Sequence, residues 1–272
     1  MDLGTAQSAE IFAFGLVAGG FGSLVGLGGG VLIVPFLTLV FGVDIRVAVA
    51  ASLVAVIATS IGAASSYVRD GLSNLRVAIF LELATTSGAV AGAVVAGWVS
   101  PRFLFALFGA ILACSALMML RPQRDVAAMA GGGRLDLSGE YDDRGTPIRY
   151  AAQRPAWGFG LMTAAGVTSG LLGIGSGALK VPAMDLAMRL PIKVSTTTSN
   201  LMIGVTAAAG AVVYLSRGDL DPLLATPVAL GVAVGSSAGA RLLPRLASGT
   251  VRGLFVVVLL AVAVQMIWRG LS

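Results

Sequence analysis

Apolar stretches separated by short polar breaks fill most of the chain and fall into two sets of five. The first set covers 11–25, 31–41, 45–68, 75–99 and 103–120; the second covers 157–172, 178–188, 192–215, 223–246 and 251–268. A helix needs about 20 apolar residues to cross a bilayer. The third, fourth and fifth stretches of each set are therefore predicted to span a membrane. The second stretch of each set is too short to cross squarely.

The two sets are copies of one another at an offset of 147 residues. Between 22–35 and 169–182, seven of fourteen positions are identical. The matches include the pairs Gly26/Gly173, Gly28/Gly175, Gly30/Gly177 and Pro35/Pro182. Apolar bias alone explains scattered matches, but not spaced glycines followed by Val-Pro at one offset. We predict a transmembrane repeat over 1–121, a polar linker over 122–155 and a second transmembrane repeat over 156–272.

The number of crossings and the basic residues together predict the topology. Each repeat has either five crossings or three crossings plus a re-entrant pair, and an odd number inverts the second repeat. With inverted repeats, thirteen of the 18 basic residues fall on one side. Four fall on the other side, namely Arg46, Arg102, Arg217 and Arg269. Because cytoplasmic loops are rich in Lys and Arg, the linker is predicted to be cytoplasmic and both termini to lie outside.

The predicted fold is thus an all-α, multi-pass membrane protein of two inverted repeats. Each repeat has a glycine-rich broken or re-entrant helix pair and three full spans. The composition agrees, since 57% of the residues are hydrophobic, 11% are charged and the mean hydropathy is +0.92. A soluble domain carries about 25% charged residues. Soluble proteins, disordered chains and disulfide-stabilised secreted domains are therefore excluded.

Few side chains in this sequence could support catalysis or bind a metal. The chain has no histidine and one cysteine, Cys114, so the usual transition-metal sites and nucleophile–base pairs lack their residues. We expect neither an enzyme nor a cofactor or metal. The net charge of +5 is attributed to cytoplasmic loops rather than to a nucleic-acid partner.

Each repeat carries a glycine-rich break between its first helix and its short second helix. The breaks contain the candidate site residues Gly28, Gly29 and Gly30 in the first repeat and Gly175, Ser176 and Gly177 in the second. Broken backbone at membrane depth is tolerated only inside protein or at a cavity. The short helix that follows would aim free N–H groups and a positive dipole end at the break. The pattern predicts a site for a dehydrated anion near the midplane, although such glycines also allow close helix packing.

Lys180 interrupts the second short helix at the position where the first repeat has Ile33. A cation at membrane depth is costly and marks a functional site. We expect it to pair with an anionic substrate or with Asp185, five positions on; a side chain that extends to the interface is the alternative. Glu82 lies inside the fourth stretch. Glu82 and Asp185 are candidates for coupling proton movement to transport, unless they are ordinary carboxylates near helix ends.

Polar side chains form a stripe on the third spanning helix of each repeat. Ser52 aligns with Ser199 of the second repeat. Ser199 and Thr206 are seven positions apart, so these two side chains share a helical face. Hydroxyl and amide groups can donate hydrogen bonds to an oxyanion. The candidates for substrate binding on these helices are Ser52, Thr198, Ser199 and Asn200. Serine and threonine also form ordinary hydrogen bonds between membrane helices.

With these motifs the chain resembles the TauE/SafE family of sulfite exporters. The resemblance rests on Gly-Leu-Gly-Gly-Gly at 26–30, Val-Pro-Phe-Leu at 34–37, Val-Ala-Ala-Ser at 49–52, and the second copy at 175–182 with Thr-Ser at 198–199. It covers nearly the whole chain except the linker. It implies a permease of the bacterial inner membrane that moves small anions, notably sulfite, sulfoacetate and other organosulfur compounds. Ser176 and Lys180 depart from the family pattern and suggest a more strongly charged substrate.

The predicted function is therefore transport of a small anion, a sulfur-containing oxyanion or organosulfonate, across the inner membrane. The alternative is a proton-coupled transporter of a small carboxylate or an amino acid, for which Glu82 and Asp185 supply the only membrane-depth carboxylates. The expected partners are the substrate and the lipid bilayer. The exact substrate, the direction of transport, the coupling ion and the oligomeric state stay open, a homodimer included.

Overall fold

Helices form nearly all of the structure, a computed structural model that describes residues 4–25, 29–69, 74–120, 137–143, 146–175, 177–242 and 248–271. The first half contains α1 (Thr5–Val25), α2 (Gly30–Leu39), α3 (Ile45–Arg69), α4 (Leu75–Ala96) and α5 (Pro101–Leu120). The second half contains α6 (Pro155–Leu172), α7 (Gly177–Pro182) with a π-helical turn (Ala183–Ala187), α8 (Ile192–Ser216), α9 (Pro222–Leu242) and α10 (Ser248–Leu271). Each predicted apolar stretch forms a helix, so the all-α membrane class is confirmed.

Three of the described helices are long and apolar enough to cross a bilayer. They cover Leu75–Ala96, Pro101–Met118 and Val194–Ser216, in α4, α5 and α8. The other three predicted spans contribute shorter apolar segments, Ile45–Ile61, Pro222–Ala238 and Val256–Leu271. Large apolar side chains such as Ile79, Leu83 and Val264 are exposed on these helices, as expected of a surface that faces lipid. α2 has 10 residues and is about 15 Å long, half of a full crossing.

Every extensive helix pair joins the first half of the chain to the second. α1 packs on α9, α4 on α6 and α5 on α10, while α3 contacts both α8 and α9 and α4 also contacts α8. Glycines permit close approach of the backbones at these contacts: a Cβ on Gly170 of α6 would overlap the Ala89 carbonyl oxygen of α4. Such approach favours helix association in lipid through van der Waals contact.

Contacts at both ends of α4 fix the relative directions of the central helices. The backbone N–H of Asn74, which caps the start of α4, donates to Thr198 Oγ1 in the first half of α8. Arg217, directly after α8, donates to the Ala93 carbonyl oxygen near the end of α4 at 2.6 Å. α4 and α8 therefore run in the same direction. α3 runs opposite to α8, because Gly204 lies against Ser60 and Gly210 against Leu53.

Arginine side chains bind backbone carbonyl groups at helix ends on one side of the molecule. Arg46 donates to the carbonyl oxygens of Ala96 and Val99 at 3.1 and 2.8 Å, where α4 ends. Arg269 donates to the Thr38 carbonyl oxygen near the end of α2 at 2.8 Å. Cations at helix C-termini satisfy orphan carbonyls and complement the helix dipole. Arg46, Arg217 and Arg269 are thus three of the four arginines that the charge pattern groups on one side.

A β-hairpin occupies part of the segment between the halves. Strands β1 (Ser138–Asp143) and β2 (Thr146–Ala151) pair antiparallel. The polar composition of 122–155 predicts only a solvated linker, which is wrong for this part; residues 121–136 lie outside the described structure. Alternation explains the hairpin, since Tyr150 is buried whereas Arg149 is exposed and pairs with Glu140 across the strands at 2.9 Å.

The hairpin is packed onto the helices rather than surrounded by solvent. Tyr150 Oη lies 3.1 Å from Asn74 Nδ2, which donates the hydrogen bond. The Gln153 N–H donates to the Met188 carbonyl oxygen just after the π-helical turn. The buried cluster beneath the hairpin includes Leu137, Tyr150, Val77, Leu81, Met162, Met184, Met188 and Met202. The hairpin therefore covers the end of the helix bundle at which α4 and α8 begin.

Candidate functional site

The two glycine-rich breaks meet at Ser52, inside α3. Its hydroxyl donates to the Gly173 carbonyl oxygen at 2.8 Å, and the Gly30 carbonyl oxygen lies 3.3 Å away. Gly173 and Gly175 adopt φ angles of +66° and +77°, a conformation that L side chains rarely adopt. Ser52 is fully buried. One polar side chain thus joins the backbone of both breaks in the interior.

The first break is tightly packed against its surroundings. A Cβ on Gly30 would lie 2.6 Å from Ser52 Oγ and 2.7 Å from the Gly173 carbonyl oxygen. A Cβ on Gly29 would contact the Ala18 carbonyl oxygen at 3.4 Å. Close packing therefore accounts for Gly30, whereas a Cβ on Gly29 would make an ordinary van der Waals contact. Gly28 and Ser176, which are also predicted site residues, lie outside the described residues.

Lys180 is the most unusual side chain of the second break. It is 0% exposed, and its Nζ donates to Thr206 Oγ1 of α8 at 2.6 Å. Lys180 Nζ also forms an ion pair with Glu82 Oε2 of α4, at a distance of 3.8 Å. Thr206 Oγ1 also donates to Glu82 Oε1 at 2.7 Å. The hydroxyl of Thr206 therefore connects a buried cation to a nearly buried carboxylate across three helices.

Lys180, Glu82 and Ser199, which lies two turns before Thr206 in α8, have polar atoms that lack the hydrogen bonds that buried groups normally form among the described residues. An ammonium group has three N–H donors, and Thr206 is the one hydrogen-bond acceptor found for Lys180 among the described residues. Glu82 Oε2 and Ser199 Oγ are buried without any hydrogen bond in the described part of the chain. An unsatisfied buried polar group costs about 1–3 kcal/mol. The Lys180 ammonium and Glu82 Oε2, which lie 3.8 Å apart, therefore suit a ligand or ordered water.

The other predicted site residues lie closer to the hairpin. Thr198 Oγ1 accepts from the Asn74 N–H at 3.1 Å, so it has a structural partner. Asn200 is buried at 8% exposure. Asp185 is half-buried in the π-helical turn and forms no ion pair with Lys180 in the described structure. Of the two partners expected for Lys180, Asp185 is therefore wrong, and Glu82 takes its place.

Three threonines of the site, Thr85, Thr86 and Thr206, are not among the predicted site residues. Thr206 lies 3.3 Å from Thr85 Oγ1, and Thr86 Oγ1 donates to Glu82 Oε1 at 3.0 Å. A signal was present in the repeat: Lys180 aligns with Ile33, and Glu82 aligns with Ala229. Two opposite charges that each replace an apolar repeat partner are good candidates for pairing with one another.

The chemistry available here is electrostatic binding. A buried ammonium with free N–H donors, beside hydroxyl groups, can stabilise a dehydrated anion. Within the residues that the structure describes, no cluster of His, Cys, Asp and Glu is suited to a metal ion. The site therefore combines one cation, one carboxylate and several neutral donors.

Comparison with known proteins gives a family match over almost the whole chain. The family described as sulfite exporter TauE/SafE matches residues 11–266. A probable membrane transporter protein, YunE of Bacillus subtilis (strain 168), is 29% identical over 269 residues, 96% of this chain and 97% of the relative. A probable membrane transporter protein of Xylella fastidiosa (strain 9a5c) is 29% identical over 95% of this chain and 91% of its own length. No solved structure gives a significant match.

Proposed function

Since the chain belongs to the sulfite exporter TauE/SafE family of membrane transporters, we propose that it is a multi-pass permease for a small anion. The substrate class that we propose is a sulfur-containing oxyanion or an organosulfonate of the sulfite or sulfoacetate type. The family supplies the sulfur chemistry. The buried cation and the neutral donors around it supply the preference for an anion.

The burial of Lys180 is the observation that carries this proposal. Its side chain is 0% exposed, although an isolated charge at membrane depth is costly. Its contact with Glu82 at 3.8 Å passes partly through Thr206, so the pair is not a close, fully hydrogen-bonded ion pair. An anion at the second break would receive the remaining N–H donors of Lys180, with Ser199 Oγ as a further donor. Ser52 and Gly30 would hold the two breaks together.

The directions of the helices support two inverted repeats. α8 is the copy of α3 and runs in the opposite direction to it. The repeat equates α1 with α6 and α4 with α9, so the packed pair α1/α9 is the counterpart of the packed pair α6/α4. In this arrangement α2 and α7 would return from mid-depth towards opposite faces, as re-entrant helices. The excess of arginine on the hairpin side supports a cytoplasmic linker and external termini in the inner membrane.

A second candidate function is proton-coupled transport of a small carboxylate or an amino acid. The observation that favours it is Glu82, whose Oε2 is buried and has no hydrogen bond to the residues that the structure describes. The substrates of the two candidates differ in the presence of sulfur. A panel that includes both kinds of anion therefore separates them.

The experiment is uptake by the purified protein in liposomes, with sulfite, sulfoacetate, sulfate, taurine and acetate as substrates. We expect uptake of at least one sulfur-containing anion. Lys180→Met should lower the apparent affinity roughly tenfold to a thousandfold, because it removes one partner of a desolvated ion pair. The matched control is Ile33→Met at the equivalent buried position of the first repeat. Equal affinity in Lys180→Met and Ile33→Met would contradict the proposal, and uptake of acetate alone would favour the second candidate.

A further inference from the structure

We propose that Glu82 carries a co-transported proton, and that the substrate anion and the Glu82 carboxylate compete for the Lys180 ammonium. This inference rests on the proposed function, which it extends by naming the coupling ion and its binding site. In the structure Glu82 forms an ion pair with Lys180, with 3.8 Å between Oε2 and Nζ. When an anion takes Lys180, Glu82 is left without a counter-ion.

The two oxygens of Glu82 have different surroundings, and the difference suits a carboxyl group that gains a proton. Oε1 accepts from Thr206 at 2.7 Å and from Thr86 at 3.0 Å. Oε2 has no hydrogen bond to any described residue and lies 3.8 Å from the ammonium nitrogen of Lys180. A proton added to Oε2 therefore leaves both hydrogen bonds to Oε1 intact. The same side chain is accommodated in the charged and in the neutral form.

Charge balance determines when the proton binds. Without substrate, the ammonium and the carboxylate are together neutral. A monovalent anion at Lys180 adds one negative charge to a site of low dielectric constant, where an unpaired ion is costly. A proton that binds from water to the Glu82 carboxylate restores neutrality, and no covalent bond to the anion forms or breaks. One proton and one monovalent anion are thus loaded together and released together.

Lys180 is the one basic side chain found within ion-pair distance of Glu82 among the described residues. α6, which packs on α4, contains no ionisable side chain. Besides Glu82 and Lys180, the ionisable residues of these and the neighbouring helices are Arg76 in α4, Asp185 in the π-helical turn, Arg46, Tyr67 and Arg69 in α3, Lys193 and Tyr214 in α8, and Arg217 directly after α8. Arg46 and Arg217 bind carbonyl groups at the far end of α4. Tyr214 donates to the Gly170 carbonyl oxygen.

The test is uptake of the transported sulfur anion into liposomes that contain a trapped pH indicator. We expect the wild-type protein to acidify the lumen as the anion enters, and to accumulate a monovalent anion about tenfold per unit of pH gradient. Glu82→Gln, which is neutral and nearly isosteric, should abolish both effects while it still exchanges labelled anion across the membrane. The matched control is Glu10→Gln, an exposed glutamate of α1, which should behave like the wild type.

A binding measurement keeps the proposal testable if Glu82→Gln transports poorly. By calorimetry in detergent, the apparent Kd of the wild type should rise with pH, by up to about tenfold per unit, because one proton binds with each anion. In Glu82→Gln the Kd should not change over the acidic pH range, in which the Lys180 ammonium keeps its proton. Wild-type uptake without lumen acidification, or a pH-dependent Kd over this range in folded Glu82→Gln, would overturn the proposal. Uptake of none of the anions would instead contradict the proposed function itself.

Discussion

Ser52 of α3 donates a hydrogen bond to the Gly173 carbonyl oxygen, 121 residues further along the chain. This bond connects the first half of the protein to the glycine break of the second half. Ser199, the repeat partner of Ser52, is equally buried but has no hydrogen bond within the described structure. Two serines at equivalent positions therefore differ in hydrogen bonding, and the proposed function assigns the hydroxyl of Ser199 to the substrate.

This difference predicts opposite results for two identical substitutions. Ser52→Ala should lower the free energy of unfolding by about 1–3 kcal/mol, because the Gly173 carbonyl oxygen loses its partner in the interior. Ser199→Ala breaks no bond and should change the free energy of unfolding by less than about 0.5 kcal/mol, while anion affinity falls. Denaturant unfolding in detergent and calorimetric titration measure the two effects. A larger loss of stability in Ser199→Ala than in Ser52→Ala would refute the assignment.

The proposed orientation in the membrane predicts which side a thiol reagent reaches. In a background with Cys114 replaced by alanine, Ser138→Cys on the hairpin should be protected from an impermeant reagent added to intact cells. Ser100→Cys, in the loop between α4 and α5, should react readily. Both serines are exposed, so a difference in labelling reports the side of the membrane. Rapid external labelling at Ser138→Cys would reverse the orientation.

The close contact between α4 and α6 predicts that a single added methyl group at this contact lowers the stability of the protein. Gly170→Ala places a Cβ against the Ala89 carbonyl oxygen and 2.8 Å from the Ala93 nitrogen, and should destabilise the protein by about 1–3 kcal/mol. Gly160→Ala, on the same helix with nothing within 4 Å, should be neutral or stabilising by up to about 1 kcal/mol. Thermal unfolding of the two variants in detergent checks this. Equal melting temperatures would argue against close packing of these helices.

The docking of the hairpin predicts a change in proteolysis. Tyr150→Phe removes the hydroxyl that accepts from Asn74 at 3.1 Å, and a hydrogen bond contributes about 1 kcal/mol. Local opening of the hairpin should therefore increase about fivefold, and trypsin should cleave faster after Arg149. The control is Tyr67→Phe, on α3 and outside the hairpin. In the proposed orientation, inside-out vesicles give trypsin access to this face, and unchanged cleavage rates would mean that the hydroxyl does not hold the hairpin.

Helix positions follow from the sequence because each apolar stretch ends at a strong local signal. Pro191 precedes α8, which covers Ile192–Ser216 where the pattern predicts 192–215. Asn74 caps α4 through its side chain, which accepts from the Val77 N–H. The hairpin is not predicted, because its strands are polar and only Leu137, Tyr150 and a few neighbours contact the helices. Its stability depends on docking, which leaves little trace in local composition.

The candidate site follows from the sequence only in part. Lys180 stands out because a cation within an apolar helix is rare, but Glu82 lies 98 positions earlier and is not identified as its partner. Three-helix contacts such as that of Thr206 with Lys180 and Glu82 depend on packing between distant segments. The short separation of Asp185 from Lys180 favours the wrong pairing. The π-helical turn at Ala183–Ala187, which follows Pro182, is likewise not predicted.

The arginine contacts at the end of α4 have a mechanical consequence. Arg46 belongs to one half and Arg217 to the other, and both bind carbonyl groups of the same helix end. Among these arginine bonds, those of Arg217 to Ala93 and of Arg269 to Thr38 cross between the halves. Hydrogen bonds from charged groups contribute about 1.5–3 kcal/mol each, so separation of the halves at this end must break two strong bonds. At the opposite end the bond from the Asn74 N–H to Thr198 joins neutral groups. We therefore expect the halves to pivot at the arginine end, with the largest displacements beside the hairpin.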